Sequence, residues 1–448
     1  MKGDFSRITF DPTKHYSGVL MQQGRVQLDA DWNEEGAIKL YGLRALAEDL
    51  GGPHWGTGTA FALDASHDEN GQPVAHDFSI GAGHYYVHGI LCENEAASGY
   101  KSQHDFAFPD SPHGSHIKSG LSYLAYLDVC EHHITSVQDD SIREKALGGP
   151  DTATRSQVVW QVKLMEYPEF DPNDNTALKD DYQKFLDALG DRKRPGSRTL
   201  EVRAIKPSAA DTADACNISP ESRYRGENQL YVVEIHHAGS ATAKPTFKWS
   251  RDNGSIVFPV RSSAGAVFTL ENLSRGSRIL AQNDWVEVTD DAKVLRGESG
   301  HLLQVAEVNA NDMTATLTVP SSVTLPIYAE NDPRHPLLRL WDSEGELTVE
   351  VPAANDGWIP LEDGIEVRFE AGGSYQKGDY WWFAARVTTG DVEWPQQKAT
   401  DGSWVPAAIK PQGIIHHYAP LAVVAFDAGG ILTTPVADQR RLVNKLWS

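Results

Sequence analysis

From residue 53 onward the sequence is mostly short runs in which apolar and polar side chains alternate, cut apart by Gly, Pro, Asn and Asp. Period-two alternation lines one face of a strand with apolar side chains, and the punctuation marks turns. The clearest runs are HYYVHGILC (84 to 92), SYLAYLDVC (122 to 130), QVVWQVKLM (157 to 165), NQLYVVEIHH (228 to 237), WVEVTDD (285 to 291), HLLQVAEV (301 to 308), TATLTVP (314 to 320), GIEVRFE (364 to 370) and PLAVVAF (420 to 426). They are too short and too closely spaced for βαβ units, which leaves antiparallel sheets. In FKWSRDNGSIVFPV, Asn253-Gly254 tolerates positive φ at both turn positions and predicts a hairpin over 247–260. Residues 283–320 read as a small barrel or sandwich.

Two segments carry a helical period instead. In NTALKDDYQKFLDALG, Leu178, Tyr182, Phe185 and Leu189 recur at helical spacing and Gly190 is placed as a stop, predicting a helix near 176–189. The other helix follows VLMQQGRVQLDADWNEEG. Trp32, Gly36, Leu40, Leu43, Leu46, Ala47 and Leu50 project onto one face within about 120°, at ~100° per residue, and GGP ends the helix at 51–53. Asp31 and Glu34 stand at the spacing of a capping box, with Asp31 as the N-cap and Glu34 reaching back to it. Four carboxylates around Trp32 therefore read as the start of a helix rather than as acid–base chemistry. Before them Gly24 interrupts a strand-like arm as a bend or bulge.

The expected architecture is mainly β: several antiparallel sandwich or small-barrel domains, an N-terminal arm and helix, and the second helix. The polar stretch 190–216 is the best boundary and YAENDPRHP (328 to 336) the next. Together they suggest an arm and helix at 1–52, a β domain at 53–170, a helix and linker at 171–222, a second β domain at 223–335 and a third at 336–448. No clean repeat of 20–50 residues marks a propeller or solenoid.

Charge narrows the partners. Forty Lys and Arg against 62 Asp and Glu leave a formal charge of -22, a field that repels phosphate backbones and anionic lipid. Nucleic acid is excluded as a partner on that ground. Three cysteines (Cys92, Cys130, Cys216) without a CxxC pair encode neither a disulfide framework nor a zinc ribbon, and fit a reducing compartment. No apolar window approaches the ~18 residues of a membrane span, and the N-terminus has no secretory h-region. The expected location is cytoplasmic.

Motifs for chemistry are thin. Three histidine doublets, His132-His133, His236-His237 and His416-His417, end or interrupt strands. Adjacent strand residues face opposite sides, so a doublet offers a site only one imidazole, and no metal is expected. The loop SHDENGQPVAHD sets Ser66, Asp68, Asn70, Gly71 and Asp77 at EF-hand-like spacing, yet lacks the leading Asp and flanking helices and reads as a turn. There is no GxSxG elbow and no phosphate loop, and GGPDTATR (148 to 155) reads as a tight turn. No catalytic or cofactor-binding residue is expected. Tryptophans Trp381 and Trp382 in GDYWWFAAR and Trp394 in DVEWP fit a core or an interface anchor.

Several stretches resemble a bacterial family of unknown function encoded near phage-tail-like contractile injection systems. They are MKGDFSRITFDPTKHYSGVLMQQGRVQLDADWNE, REKALGGPDTATRSQVVWQVKL, YRGENQLYVVEIHHAG with FKWSRDNGS, DPRHPLLRLWD, GDYWWFAAR and HHYAPLAVVAF. A looser likeness is to phage tail proteins whose GR-containing arm leads into a WNE helix, here Gly24, Arg25, Trp32, Asn33 and Glu34. Cys130 and His132 depart from the family's pattern after YLDV. The resemblance implies a structural baseplate or tail-peripheral component whose partners are other subunits of the assembly, with a homo-oligomer left open. It supplies no catalytic residue. The interface candidates are residues 1–31, including Gly24 and Arg25, with Trp32, Trp381, Trp382 and Trp394. The alternatives are a glycan-binding or glycan-cleaving targeting protein of such a particle, and a loaded cargo protein.

Overall fold

The structure, a computed structural model, describes residues 2–103, 117–167, 178–190, 198–206, 222–239, 243–276, 278–349, 356–371, 375–433 and 436–443. It is mainly β and antiparallel, with three α-helices among those residues: α1 (Asp29–Gly51), α2 (Tyr182–Leu189) and α3 (Asp291–Arg296). None of them is long and apolar enough to cross a membrane. The chain divides into two compact units that are not consecutive in sequence. One takes residues 6–132, 156–193 and 415–448; the other takes 1–5, 133–155 and 194–414.

The first unit is built on a four-stranded sheet in the order Ala437–Asp438, His416–Ala425, Ser122–Ile134, Arg155–Glu166. Alternation does what the sequence suggests. Tyr123, Ala125, Leu127 and Val129 point into a core shared with Trp160, Val162, Phe61, Phe78 and Tyr85. On the opposite face Leu124, Tyr126, Met165 and Tyr418 pack against Phe185 and Leu189 of α2. The Asp181 side chain caps α2 by accepting from the Lys184 N–H at 2.9 Å, and Gly190 ends it at φ +53. HYYVHGILC is two strands, Gly83–Val87 and Ile90–Asn94, joined by His88 and Gly89 at φ +47 and +71. A His-Gly turn supplies the two positive φ values of a tight hairpin, a signal masked by the apolar residues around it.

The second unit joins a sandwich to a barrel. A five-stranded sheet holding Gln229–His237, Thr246–Ser250 and Tyr380–Arg386 faces the three-stranded sheet Ile359–Pro360, Ile365–Phe369, Leu200–Ala204. Tyr231, Val233, Phe247, Trp381 and Phe383 meet Leu200, Val202, Val367 and Phe369 in its core. The barrel closes through Val257–Ala264, Val267–Leu270, Thr314–Thr318, His301–Asn309, Trp285–Thr289 and Leu337–Trp341. It packs on the other face of the five-stranded sheet through Leu302, Trp341, Val232 and Tyr380.

Two expectations need correction. Asn253 and Gly254 do adopt φ +52 and +60, but their flanking strands do not pair as a hairpin. Thr246–Ser250 pairs with Gln229–His237, whereas Val257–Ala264 pairs with Val267–Leu270 and Leu337–Trp341. Phe247 and Trp249 are drawn into the sandwich core and Phe258 into the barrel core, so the turn hands the chain from one to the other. The boundaries at 335/336 and 52/53 also differ. Leu337–Trp341 closes the barrel, Ile365–Phe369 pairs with Leu200–Ala204, and His416–Ala425 pairs with Ser122–Ile134, so residues 336–448 form no domain of their own. The stretch 190–216 lies mostly outside the described residues.

Candidate interaction surface

The helix that follows the arm buries only three of its 23 residues. α1 begins at Asp29, with Leu28 as its N-cap; Asp31 is therefore at the third helical position, where its carboxylate accepts from the Leu28 N–H at 3.2 Å. The helix starts three residues earlier than the capping-box spacing suggested, and the arm engages the other carboxylates. Ser6 Oγ donates to Asp29, Thr9 Oγ1 donates to Glu34 at 2.5 Å, and the Val19 N–H donates to Glu35 at 2.7 Å. Phe10 adds an aromatic contact with Tyr41, ring centroids 5.6 Å apart. The carboxylates around Trp32 thus fasten the arm along its own helix. Gly24, at φ +71, sits in the turn from Gln22 to Arg25, where a Cβ would have open space within 4 Å, and Arg25 is exposed.

On its inner side α1 is held mostly by polar contacts. Arg44 makes a two-pronged pair with Glu131 at 3.1 and 3.0 Å, and Glu48 Oε1 lies 3.0 Å from His88 Nδ1. The Trp55 indole N–H donates to the Ala47 carbonyl at 3.0 Å. A side chain at Gly89 would meet the Arg44 carbonyl at 2.1 Å, so glycine is what lets the hairpin touch the helix backbone. The buried residues of α1 are Ala30, Ile38 and Gly51, a set centred roughly 160° around the helix from Trp32 at ~100° per residue. The apolar stripe faces away: Trp32 is 67%, Leu43 65%, Leu46 56% and Leu50 75% exposed, with Leu40 beside them. From the arm, Leu20, Met21, Val26 and Leu28 are exposed as well.

Of the other tryptophans named from the sequence, two are enclosed. Trp381 is fully buried and Trp394 nearly so, both in the sandwich core, and their indole N–H groups donate to the carbonyls of Ile409 at 2.8 Å and Ala407 at 2.9 Å. Trp382, half-buried, packs where the five-stranded sheet meets the barrel. Alternation in a strand packed on both faces encloses Trp381, while Trp382 keeps part of its ring in solvent.

The histidine doublets divide. His416 and His417 lie in a regular strand and face opposite sides. His416 Nδ1 is 2.6 Å from Asp128, whose other oxygen is 2.6 Å from Lys163 Nζ; His417 stands against His88, ring centroids 5.2 Å apart. Burial pushes Asp128 up, but the Lys163 and His416 charges outweigh it and hold it at about 2. Burial, reinforced by His88 and Arg44, lowers His417 to about 4. In the second unit the rule fails. A bulge between Ile235 and His237 breaks the alternation, and both rings turn to Glu346: His236 Nε2 and His237 Nε2 each lie 3.4 Å from its Oε1. Bulges carry no dependable sequence signature, so alternation alone does not reveal this convergence.

Behind His236 lies a buried ionic cluster. Lys248 Nζ, fully buried, is 3.1 Å from His236 Nδ1, 3.2 Å from Glu234 and 2.7 Å from Glu287. Lys2 pairs with Glu234, and Glu287 also accepts from the Trp341 indole at 3.0 Å and the Gly300 N–H at 2.9 Å. The residues from the chain start are tied in by Gly3, which exchanges hydrogen bonds with Asn253. Burial lowers Lys2, and burial with the Lys248 charge lowers His236. The two imidazoles beside Glu346 hold its carboxyl far below the ordinary range. In the 66–77 loop Asp68 accepts from the N–H groups of Asn70 and Gln72, both at 2.8 Å, as a hairpin turn requires.

No curated protein and no solved structure matches the chain. A model of a family of unknown function (DUF6519) matches residues 1–205 and 192–434. With nearly its whole length covered by those two matches, the chain belongs to that family of unknown function.

Proposed function

We propose that this protein is a structural component of a contractile, phage-tail-like injection particle, at its baseplate or tail periphery, acting through protein–protein contacts. The observation that carries the reading is the outward apolar stripe of α1, from Trp32 through Leu43 and Leu46 to Leu50. Single exposed apolar residues are ordinary on any surface. A stripe of them on one regular helix, with the arm fastened along another side, is the form in which a helix enters a partner's groove or bundle. The resemblance of the arm and WNE segment to tail proteins supplies the setting, and the formal charge of -22 keeps free copies apart until a specific contact forms.

Purifying the intact particle and quantifying its subunits by mass spectrometry tests this directly. A fixed copy number of this chain per particle is expected. Its absence from particles that are otherwise complete would overturn the reading.

A further inference from the structure

We infer that His236, His237 and Glu346 form a binding site for a divalent transition-metal ion of the zinc class. The three side chains each offer one ligand atom, and these atoms lie within 4.8 Å of one another. The distances themselves are informative. Each imidazole Nε2 stands 3.4 Å from Glu346 Oε1, longer than an N–H···O hydrogen bond prefers. Two donors each ~2.1 Å from a shared ion, at the tetrahedral angle, stand about 3.4 Å apart. The spacing is that of a coordination edge.

The orientation of the ligands agrees with the geometry. Glu346 is also aimed by a neighbour, since its second oxygen accepts from Thr246 Oγ1 at 3.0 Å. His236 is buried, whereas His237 and Glu346 reach solvent, so one side stays open for water or a further ligand. Two imidazoles with one carboxylate suit zinc, cobalt or nickel better than magnesium or calcium, which prefer all-oxygen sets. Lys248 opposes binding in one respect: with Nε2 given to an ion, the His236 ring proton sits on Nδ1, facing the ammonium. Lys248 can then direct its protons to Glu234, Glu287 and the face of Trp341, whose ring centre is 4.5 Å away. Glu346 lies between the barrel strand Leu337–Trp341 and the edge strand Leu347–Thr348. An ion here would pin the chain where it leaves the barrel and rejoins the sandwich sheet.

The test uses the tag-free, metal-stripped full-length protein, titrated with Zn2+ by calorimetry and with Co2+ by visible absorption, alongside His237→Ala and Glu346→Gln. Both side chains reach solvent, so the variants should keep the parent's thermal unfolding in the absence of metal. One ion per chain is expected, with an intense tetrahedral Co2+ spectrum, at least a tenfold loss of affinity in each variant, and a Zn2+-induced rise in Tm confined to the parent. Absence of saturable one-to-one binding in the parent would overturn the proposal. So would variants that bind as the parent does.

Discussion

α1 and α2 both carry apolar stripes and belong to the same unit, yet they use those stripes in opposite ways. α2 turns Phe185 and Leu189 inward against Leu124, Tyr126 and Met165, where both are buried. α1 turns Ala30 and Ile38 inward and leaves Trp32, Leu43, Leu46 and Leu50 in solvent. A helical stripe of apolar residues states that cover is needed; it does not say which chain provides it. For α2 the cover is the unit's own sheet. For α1 the contacts to its own unit are largely ion pairs and side-chain hydrogen bonds, which fix the helix in place without using the stripe.

A wide spread of effects on the isolated protein follows from that difference. Phe185→Ala should cost the most, about 3–5 kcal/mol in chemical denaturation, since it empties a fully buried ring site. A value near zero would place α2 with α1. Acid should come next. His54 and His417 are both lowered to about 4, chiefly by burial. Because those values lie below the ordinary ~6.5, the unfolded chain takes up protons first, so their contribution is complete above that pH and is lost as pH falls toward 4. A stability loss on the order of a few kcal/mol is expected across that window, and urea midpoints that stay flat from about pH 7 to pH 4 would contradict it. Arg44→Ala leaves Glu131 partly buried without its partner and should cost roughly 1–2 kcal/mol, with faster amide exchange in α1. Leu43→Ala should change monomer stability least, within about 0.5 kcal/mol, because the side chain is already largely in solvent.

How far the sequence carried depended on whether local pattern or distant packing decided. Alternation identified the strands Ser122–Ile134, Arg155–Glu166, Gln229–His237 and His301–Asn309 within a few residues. The apolar face of α1 was also legible, residue by residue; that it faces solvent was not, because exposure depends on what the rest of the chain puts opposite. Asn253-Gly254 gave the correct φ values and the wrong pairing, since two separate cores compete for the strands on either side. Trp381 and Trp394 could be assigned to core or interface only once both faces of their sheet were known. The His236-His237 convergence rests on a bulge, one residue out of register, that alternation cannot foresee.

Whether the stripe on α1 is an assembly contact is tested most directly by producing particles with the double variant Leu43→Glu, Leu46→Glu and measuring how much of this chain they contain. A variant that folds with the parent's Tm and fails to enter the particle is expected. A variant incorporated at the parent's copy number would contradict an assembly role for the stripe.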